Sequence, residues 1–321
     1  MITETNTAIN TDTAVQNPLG LKKIHHVEFY VGNAKQAEFY YRKAFGFSRA
    51  AYSGLETGSR ETTSYLMRQV NINFVLTTPL SPEHPAAEHI KQHGDGVRDI
   101  AFYVDDADHA FNESVKRGAK AVIEPGDLTD DNGTVRHAAI ATYGDTIHSF
   151  YSYNSPRAGS EADAGDKYSY VGSFLPGFVD QNVQGEPTGI MMVDHIVGNV
   201  ELGKMNEWCD FYRDVMGFFR YITFDDNDIS TEYSALMSIV MSDGGHNIKF
   251  PINEPASGKG GKSQIQEYID FYRSAGAQHL ALLCRDIRST VAKLMENGVE
   301  FLSIPDTYYD DLSDRVGCID E

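Results

Sequence analysis

Three cysteines in 321 residues, Cys209, Cys284 and Cys318, are odd in number and none is closely spaced with another, so neither a disulfide framework nor a thiolate zinc site is expected. A reducing, cytoplasmic setting fits that scarcity. No apolar run approaches the roughly 20 residues needed to span a bilayer, and the N-terminus has neither a basic start nor an apolar stretch, which excludes a secretory signal and a membrane anchor from the expectation. Basic residues are also scarce. With 27 Lys and Arg against 46 Asp and Glu, the formal charge is -19. A surface of that sign repels phosphate, so nucleic acid and anionic membranes are poor partners.

What the chain does contain is enough for two domains. At 41% apolar and 23% charged it has globular composition, and its length leaves room for two cores of ordinary size. Residues 1–20 are polar and read as a disordered tail. Two short apolar stretches stand out. His195 lies within Met192-Val193-Asp194-His195-Ile196-Val197-Gly198-Asn199-Val200, and His279 within Ala277-Gln278-His279-Leu280-Ala281-Leu282. Side chains alternate along a strand, so His195 should share a face with Val197, and His279 with Ala281 and Leu283. Two imidazoles could then converge as metal ligands inside one curved sheet. Taken singly, each is equally well read as a core histidine bonded to a backbone carbonyl.

An internal repeat makes the pair informative. A strand at 24–31 leads to Asn33 as N-cap and a helix ending at Gly46; a strand at 193–197 leads to a helix carrying Trp208, Phe211, Tyr212 and Val215 that ends at Gly217. Asn71-Ile72-Asn73-Phe74 echoes Asn247-Ile248-Lys249-Phe250, each after another apolar strand, at 63–67 and 233–241. Short helices at 86–93 and 264–272 then precede strands at 99–104 and 279–284. Asp99 to Gly118 and His279 to Gly298 span the same sequence distance, with Phe111 and Val115 answering Val291 and Met295 on the buried helix face. Such a period means a duplicated module, each copy holding a βαβββ-like unit twice around a central cavity. Residues 21–153 form the first module and 190–321 the second; 154–189, rich in Gly, Ser, Pro and Asp, read as a linker.

Superposing the copies sets His26 opposite His195 and Asp99 opposite His279. The first module has one histidine of the pair, so the second is the better metal site and the first its structural partner. The first module continues with strands at 121–124, 136–143 and 146–153. The second has a strand expected at 301–304, then 306–321, without counterparts of the last two strands. Its sheet edge should be open, and a truncated chain is expected.

Five motifs carry a family resemblance: Val193 to Val200 as above, Pro251-Ile252-Asn253-Glu254-Pro255, Lys262-Ser263-Gln264-Ile265-Gln266, Gln278-His279-Leu280-Ala281 and Thr307-Tyr308-Tyr309. In that order they resemble the 4-hydroxyphenylpyruvate dioxygenases of the vicinal-oxygen-chelate superfamily, from about residue 21 to the end. The resemblance implies an α+β fold of two vicinal-oxygen-chelate (glyoxalase/bleomycin-resistance-like) modules, the second incomplete. It implies Fe(II) held by His195 and His279 and by a glutamate on a last strand that this sequence lacks, whose superposed position in the first module is near Phe150. Two imidazoles and a carboxylate on one face of iron leave positions for a chelating 2-oxo acid and for dioxygen. Ser238, Asn253 and Gln264 match positions at the substrate end of the pocket. On the residues alone they are as well read as a solvent-face strand residue, a turn former and a first-turn helix residue. Gln278 is held as a residue of the outer layer around the metal, or as structural.

The implied activity is conversion of 4-hydroxyphenylpyruvate to homogentisate and CO2 in tyrosine catabolism, by a cytoplasmic homo-oligomer. Hydroxymandelate synthase, with the same fold, iron and substrate, is the near alternative, and a non-catalytic relic without its carboxylate ligand is another. A third reading comes from Ala256 to Ser263, which fits a relaxed phosphate-loop pattern. It demands a parallel sheet, whereas Asp243-Gly244-Gly245 signals a tight hairpin and antiparallel strands.

Overall fold

The computed structural model describes residues 17–153, 170–224, 236–256, 262–303 and 309. The order of elements is the repeat made visible. β1 (Leu21–Tyr30), α1 (Ala34–Lys43), β2 (Ser48–Ser53), β3 (Thr62–Gln69) and β4 (Ile72–Pro79) form one βαβββ unit. After α2 (Pro85–His93) come β5 (Gly96–Val104), α3 (Ala107–Lys116), β6 (Ala121–Asp130), β7 (Gly133–Ala141) and β8 (Ile147–Ser152), the second unit. A further strand, β9 (Val179–Val183), precedes β10 (Ile190–Asn199), α4 (Met205–Asp214), β11 (Phe219–Phe224), β12 (Leu236–Ser242) and β13 (Lys249–Pro255). Then follow α5 (Gln264–Tyr272), β14 (Gly276–Cys284) and α6 (Ile287–Glu296). Among the described residues no helix is long and apolar enough to cross a membrane.

Two sheets result, a nine-stranded one in the order β6-β7-β8-β5-β1-β4-β3-β2-β9 and a five-stranded one in the order β11-β12-β13-β10-β14. In each, the first strand of the module lies between an antiparallel and a parallel neighbour: β1 between β5 and β4, β10 between β14 and β13. The duplication extends to irregularities. Register shifts between Leu21 and Lys23, Ile24 and His26, and Glu28 and Phe29 recur between Ile190 and Met192, Val193 and His195, and Val197 and Gly198. Bulges re-aim side chains, so their recurrence means that the local aim of the strand has been kept. Helix starts repeat as well. Asn33 caps α1 as expected, and Asp106 and Asp286 accept from His109 and Ser289 at the same position of α3 and α6.

Two expectations need correction. The 154–189 connection is not loop throughout, because Val179–Val183 pairs with β2 and extends the first sheet; residues 154–169 lie outside those described. Residues 301–303 carry no strand, while 304 and 306–308 lie outside the described set. In the first module β6 is held by β7, and among the described residues no strand stands in that place in the second. Phe150 packs at 6.4 Å from Phe102, away from the cavity; the cavity-facing residues of β8 are Tyr151, 5.4 Å from His26, and Ser149, whose amide donates to Asp99. By alternation the inward positions of β8 are Ser149 and Tyr151, on either side of Phe150, near which the sequence superposition places the ligand's counterpart. Of the strand expected at 233–241, 233–235 lie outside the described residues, as do 1–16 and the loop 257–261.

One apolar core runs through both modules. Phe250 and Tyr212 from the second stack at 5.1 Å, and Phe250 reaches Phe102 and His148 of the first at 6.2 and 5.6 Å. His148, fully buried, donates from Nδ1 to the Ile100 carbonyl and accepts the Tyr212 hydroxyl at Nε2, 2.9 Å away, an arrangement that requires the neutral ring. Burial pushes it down to about 4. The modules approach closely at Gly144. Its φ is +60° and a Cβ there would sit 2.1 Å from the Ala275 carbonyl oxygen, far inside contact distance.

Two outcomes follow. Gly144→Ala should cost about 1–3 kcal/mol through strain and displacement of Ala275, read as a lower urea midpoint. His148 and His137 (also pushed down to about 4 by burial) have folded values below their unfolded value of 6.5, so the stability they contribute is full above 6.5 and is lost as pH falls toward 4. Each adds up to about 1.4 kcal/mol per pH unit in that window. His148→Asn should flatten the acid limb of a stability-versus-pH curve; an unchanged slope would exclude His148 as a source.

Candidate metal and substrate site

The second sheet positions both sequence-predicted histidines. In the β10–β14 pair Val197 stands opposite His279 and His195 opposite Ala281, so the two histidines are diagonal neighbours across the strands. Their ring centroids are 5.9 Å apart, and both line one cavity of about 360 Å³. That volume is within the range of small-molecule sites.

The bulge between Val193 and His195 adds what alternation alone denies. Consecutive residues Asp194 and His195 both line the cavity, and the His195 Nδ1–H donates to Asp194 Oδ2 at 2.8 Å. Lys249 on β13 donates to the other oxygen, Oδ1, at 2.6 Å. The Lys249 ammonium, and after it His195, hold the Asp194 carboxyl below its usual range. Lys249, Asp194 and His195 thus form a chain that fixes one tautomer of His195 and leaves its Nε2 lone pair for a ligand. His279 is held similarly: its Nδ1–H donates to the side-chain carbonyl of Gln278. Burial and the nearby His195 lower its pKa, favouring the neutral ring that a metal requires. Neither Asp194 nor Lys249 was singled out from the sequence as a site residue. A strand reading puts a histidine's neighbour on the opposite face, and the bulge is invisible in composition.

Ser238 and Asn253 are cross-strand partners of β12 and β13, both buried in the cavity wall. Asn253 Nδ2 lies 3.4 Å from Asn199 Oδ1, while its own Oδ1 is buried with no hydrogen-bond partner. Gln264 is not brought to the cavity. It is the first residue of α5, exposed, after Ser263, which caps the helix through the Ile265 amide. β13, which precedes 256–263, runs antiparallel to β12 as the hairpin signal implied and parallel to β10, so the sheet is mixed rather than the parallel one a phosphate loop would need; 257–261 lie outside the described residues.

In the first module the corresponding pair is engaged in ring packing. His25 and His26, the counterparts of Asp194 and His195, meet Nδ1 to Nδ1 at 2.6 Å, and His25 stacks on Tyr151, Tyr153 and Phe174 at 5.2–5.5 Å. Burial pushes His25 down to about 3. The same bulge therefore serves aromatic packing in one module and an open, metal-sized gap between imidazoles in the other.

Comparison with known proteins agrees in both halves. Residues 15–154 match the model described as hydroxyphenylpyruvate dioxygenase, N-terminal, and residues 193–316 that of the glyoxalase/bleomycin resistance protein/dioxygenase superfamily. A 4-hydroxyphenylpyruvate dioxygenase of Aspergillus fumigatus is 42% identical over 327 residues, covering 95% of this chain and 77% of that one. The Xenopus tropicalis enzyme of the same name is 44% identical over 91% of this chain and 72% of its own. The chain belongs to the 4-hydroxyphenylpyruvate dioxygenase family. Among solved structures, a triple mutant of 4-hydroxymandelate synthase from Streptomyces coelicolor superposes with a TM-score of 0.77 at 25% identity, over 92% of this chain and 80% of that one. The two modules are thus of the vicinal-oxygen-chelate type, as the sequence resemblance implied.

The donor chemistry of iron, two neutral imidazoles with fixed outer nitrogens, fits His195 and His279. The glutamate of the family pattern has no counterpart beside them among the described residues, and the one group there of three potential ligands lies elsewhere, at His89, His93 and Asp145. Removing the Asp194 carboxylate should loosen His195 without unfolding the sheet. Asp194→Asn is expected to weaken ferrous-ion retention by about 10–100-fold in competition with a chelator, with an unchanged circular dichroism spectrum.

Proposed function

We propose that the protein is a non-haem Fe(II)-dependent dioxygenase that converts 4-hydroxyphenylpyruvate to homogentisate and CO2, a step of tyrosine catabolism, in the cytoplasm. The observation that carries the reading is the convergence of His195 and His279 on one cavity, in a chain more than 40% identical to proteins named for that activity. Iron, when bound, supplies the redox chemistry and the coordination positions that an oxo acid and dioxygen share.

The chain's own side chains would prepare and hold the substrate. His195 and His279 provide two of the metal's donors, kept in the required tautomer by Asp194 and Gln278. Val197, Ile222, Val240 and Pro251 give the cavity an apolar wall that excludes water and receives an aromatic ring. At the polar part of that wall, the unpartnered Asn253 Oδ1 is an acceptor for a phenolic O–H, and Ser238 is its cross-strand neighbour. A buried acceptor left unmade costs about 1–3 kcal/mol, so a substrate hydroxyl that satisfies it gains orientation as well as affinity. Gln264 enters this scheme only by family resemblance, from a position outside the cavity.

The likeness to a hydroxymandelate synthase structure supports a second reading, attack at the benzylic carbon. Incubating the iron-loaded chain with 4-hydroxyphenylpyruvate and dioxygen and identifying the product separates them: homogentisate supports the first, 4-hydroxymandelate the second, and neither, with no iron retained, a chain without catalysis. His195→Ala and His279→Ala should each abolish iron retention. Asn253→Ala should raise KM for the hydroxylated substrate by about tenfold while leaving a phenyl analogue unaffected, the rate being followed by oxygen consumption.

A further inference from the structure

We propose a second divalent-metal site, of the zinc type, between the modules, held by His89 and His93 of α2 and by Asp145 in the turn between β7 and β8. It is separate from the cavity of His195 and His279 and uses none of its residues. His89 and His93 are four apart on one helix, so their rings project from the same face, the spacing by which helical histidine pairs share a metal. Gly144, which alone among residue types fits against Ala275 at that φ, carries Asp145 up to this pair.

The ligand atoms are already assembled. One nitrogen of each ring and one carboxylate oxygen lie within 4.8 Å of one another. His89 Nδ1 is 2.6 Å, and His93 Nε2 3.5 Å, from Asp145 Oδ2. Tetrahedral bonds of about 2.0–2.1 Å separate neighbouring ligands by about 3.3 Å. The His93 spacing is already near that value, and a turn of the carboxylate opens the His89 spacing.

The outer layer orients these side chains as a metal site requires. His93 Nδ1–H donates to the Tyr272 carbonyl, which fixes the ring with Nε2 turned toward the Asp145 carboxylate, the orientation in which a metal-binding histidine is held by its other nitrogen. Asp145 Oδ1 is buried and has no partner, which leaves a second carboxylate oxygen for bidentate binding. His89 Nε2 and the Tyr272 hydroxyl are likewise buried and unpartnered, and both lie beside Gly96, within 3.2 and 2.7 Å of where its Cβ would be. Arg98, 3.8 Å from Asp145 Oδ2 and bonded to the Asp145 carbonyl, is the competing cation. Two nitrogens, one oxygen and a remaining position for water suit Zn2+ or Co2+ rather than Mg2+ or Ca2+. A metal here would pin α2 of the first module to the end of α5 in the second.

The test uses the full chain carrying His195→Ala and His279→Ala, which silences the proposed iron site, titrated with Co2+ as the coloured probe. One equivalent per chain, with the intense visible absorption of a tetrahedral ion and displacement by Zn2+, is expected. Adding His93→Gln, or separately His89→Gln, should weaken binding by about 100-fold or more, since outer partners alone account for about 10–100-fold. Zn2+ should also raise the melting temperature of the parent variant and leave that of the His93→Gln and His89→Gln variants unmoved. Absence of stoichiometric Co2+ binding in a folded parent, or binding that survives both glutamine substitutions, overturns the proposal. If one glutamine variant fails to fold, the other and the parent titration still decide it.

Discussion

The antiparallel pairing of Ile190–Asn199 with Gly276–Cys284 is the constraint on which the rest depends. Its register sets His195 and His279 on adjacent rungs of one curved face. Its bulge at Asp194 gives His195 a carboxylate on the same face that an unbroken strand would have sent to the other side. A slip of one residue in either strand would turn that strand's imidazole to the opposite surface and part the pair, because the side-chain period of a strand is two. Binding chemistry here is thus a property of strand pairing before it is a property of any one side chain.

Duplication explains how that pairing came with a partner. β1 and β5 keep the same register and the same three irregularities as β10 and β14, so the backbone of the two modules is aimed alike. The side chains diverge. In the first module His25, His26, Tyr151 and Phe174 are rings that pack on one another, and burial lowers the two imidazoles' pKa values, favouring their neutral form. In the second, Lys249 and Asp194 replace ring stacking by a charged chain and the cavity stays open. The outer strand differs as well. Ile100, Phe102 and Val104 of β5 are covered, whereas Leu283 of β14 is 45% exposed, since β8 lies beside β5 and no strand lies beside β14 among the described residues.

Joining the modules takes a shared apolar core and a polar seam. Phe250, Tyr212 and Phe102 supply the first, with His148 as a neutral bridge. The seam runs from His89 and Asp145 through His93 to the Tyr272 carbonyl at the end of α5. It joins the first module to the helix just before β14, the strand that carries His279, so the geometry of the metal cavity and the docking of the modules are mechanically close.

The sequence by itself determined the repeat, the helices, the cap at Asn33, the antiparallel turn at Asp243 and the two histidines, because periodicity, capping residues and spacing are local properties. It also pointed to Ser238 and Asn253 through a resemblance. It did not reveal Asp194 and Lys249, the strand at Val179–Val183, the inward turn of Tyr151 rather than Phe150, or the gathering of His89, His93 and Asp145. Each of these depends on a bulge, an edge pairing or an approach between chain segments far apart in sequence. Which neighbour a side chain meets is decided by register and docking, and those exist only once the whole chain has folded.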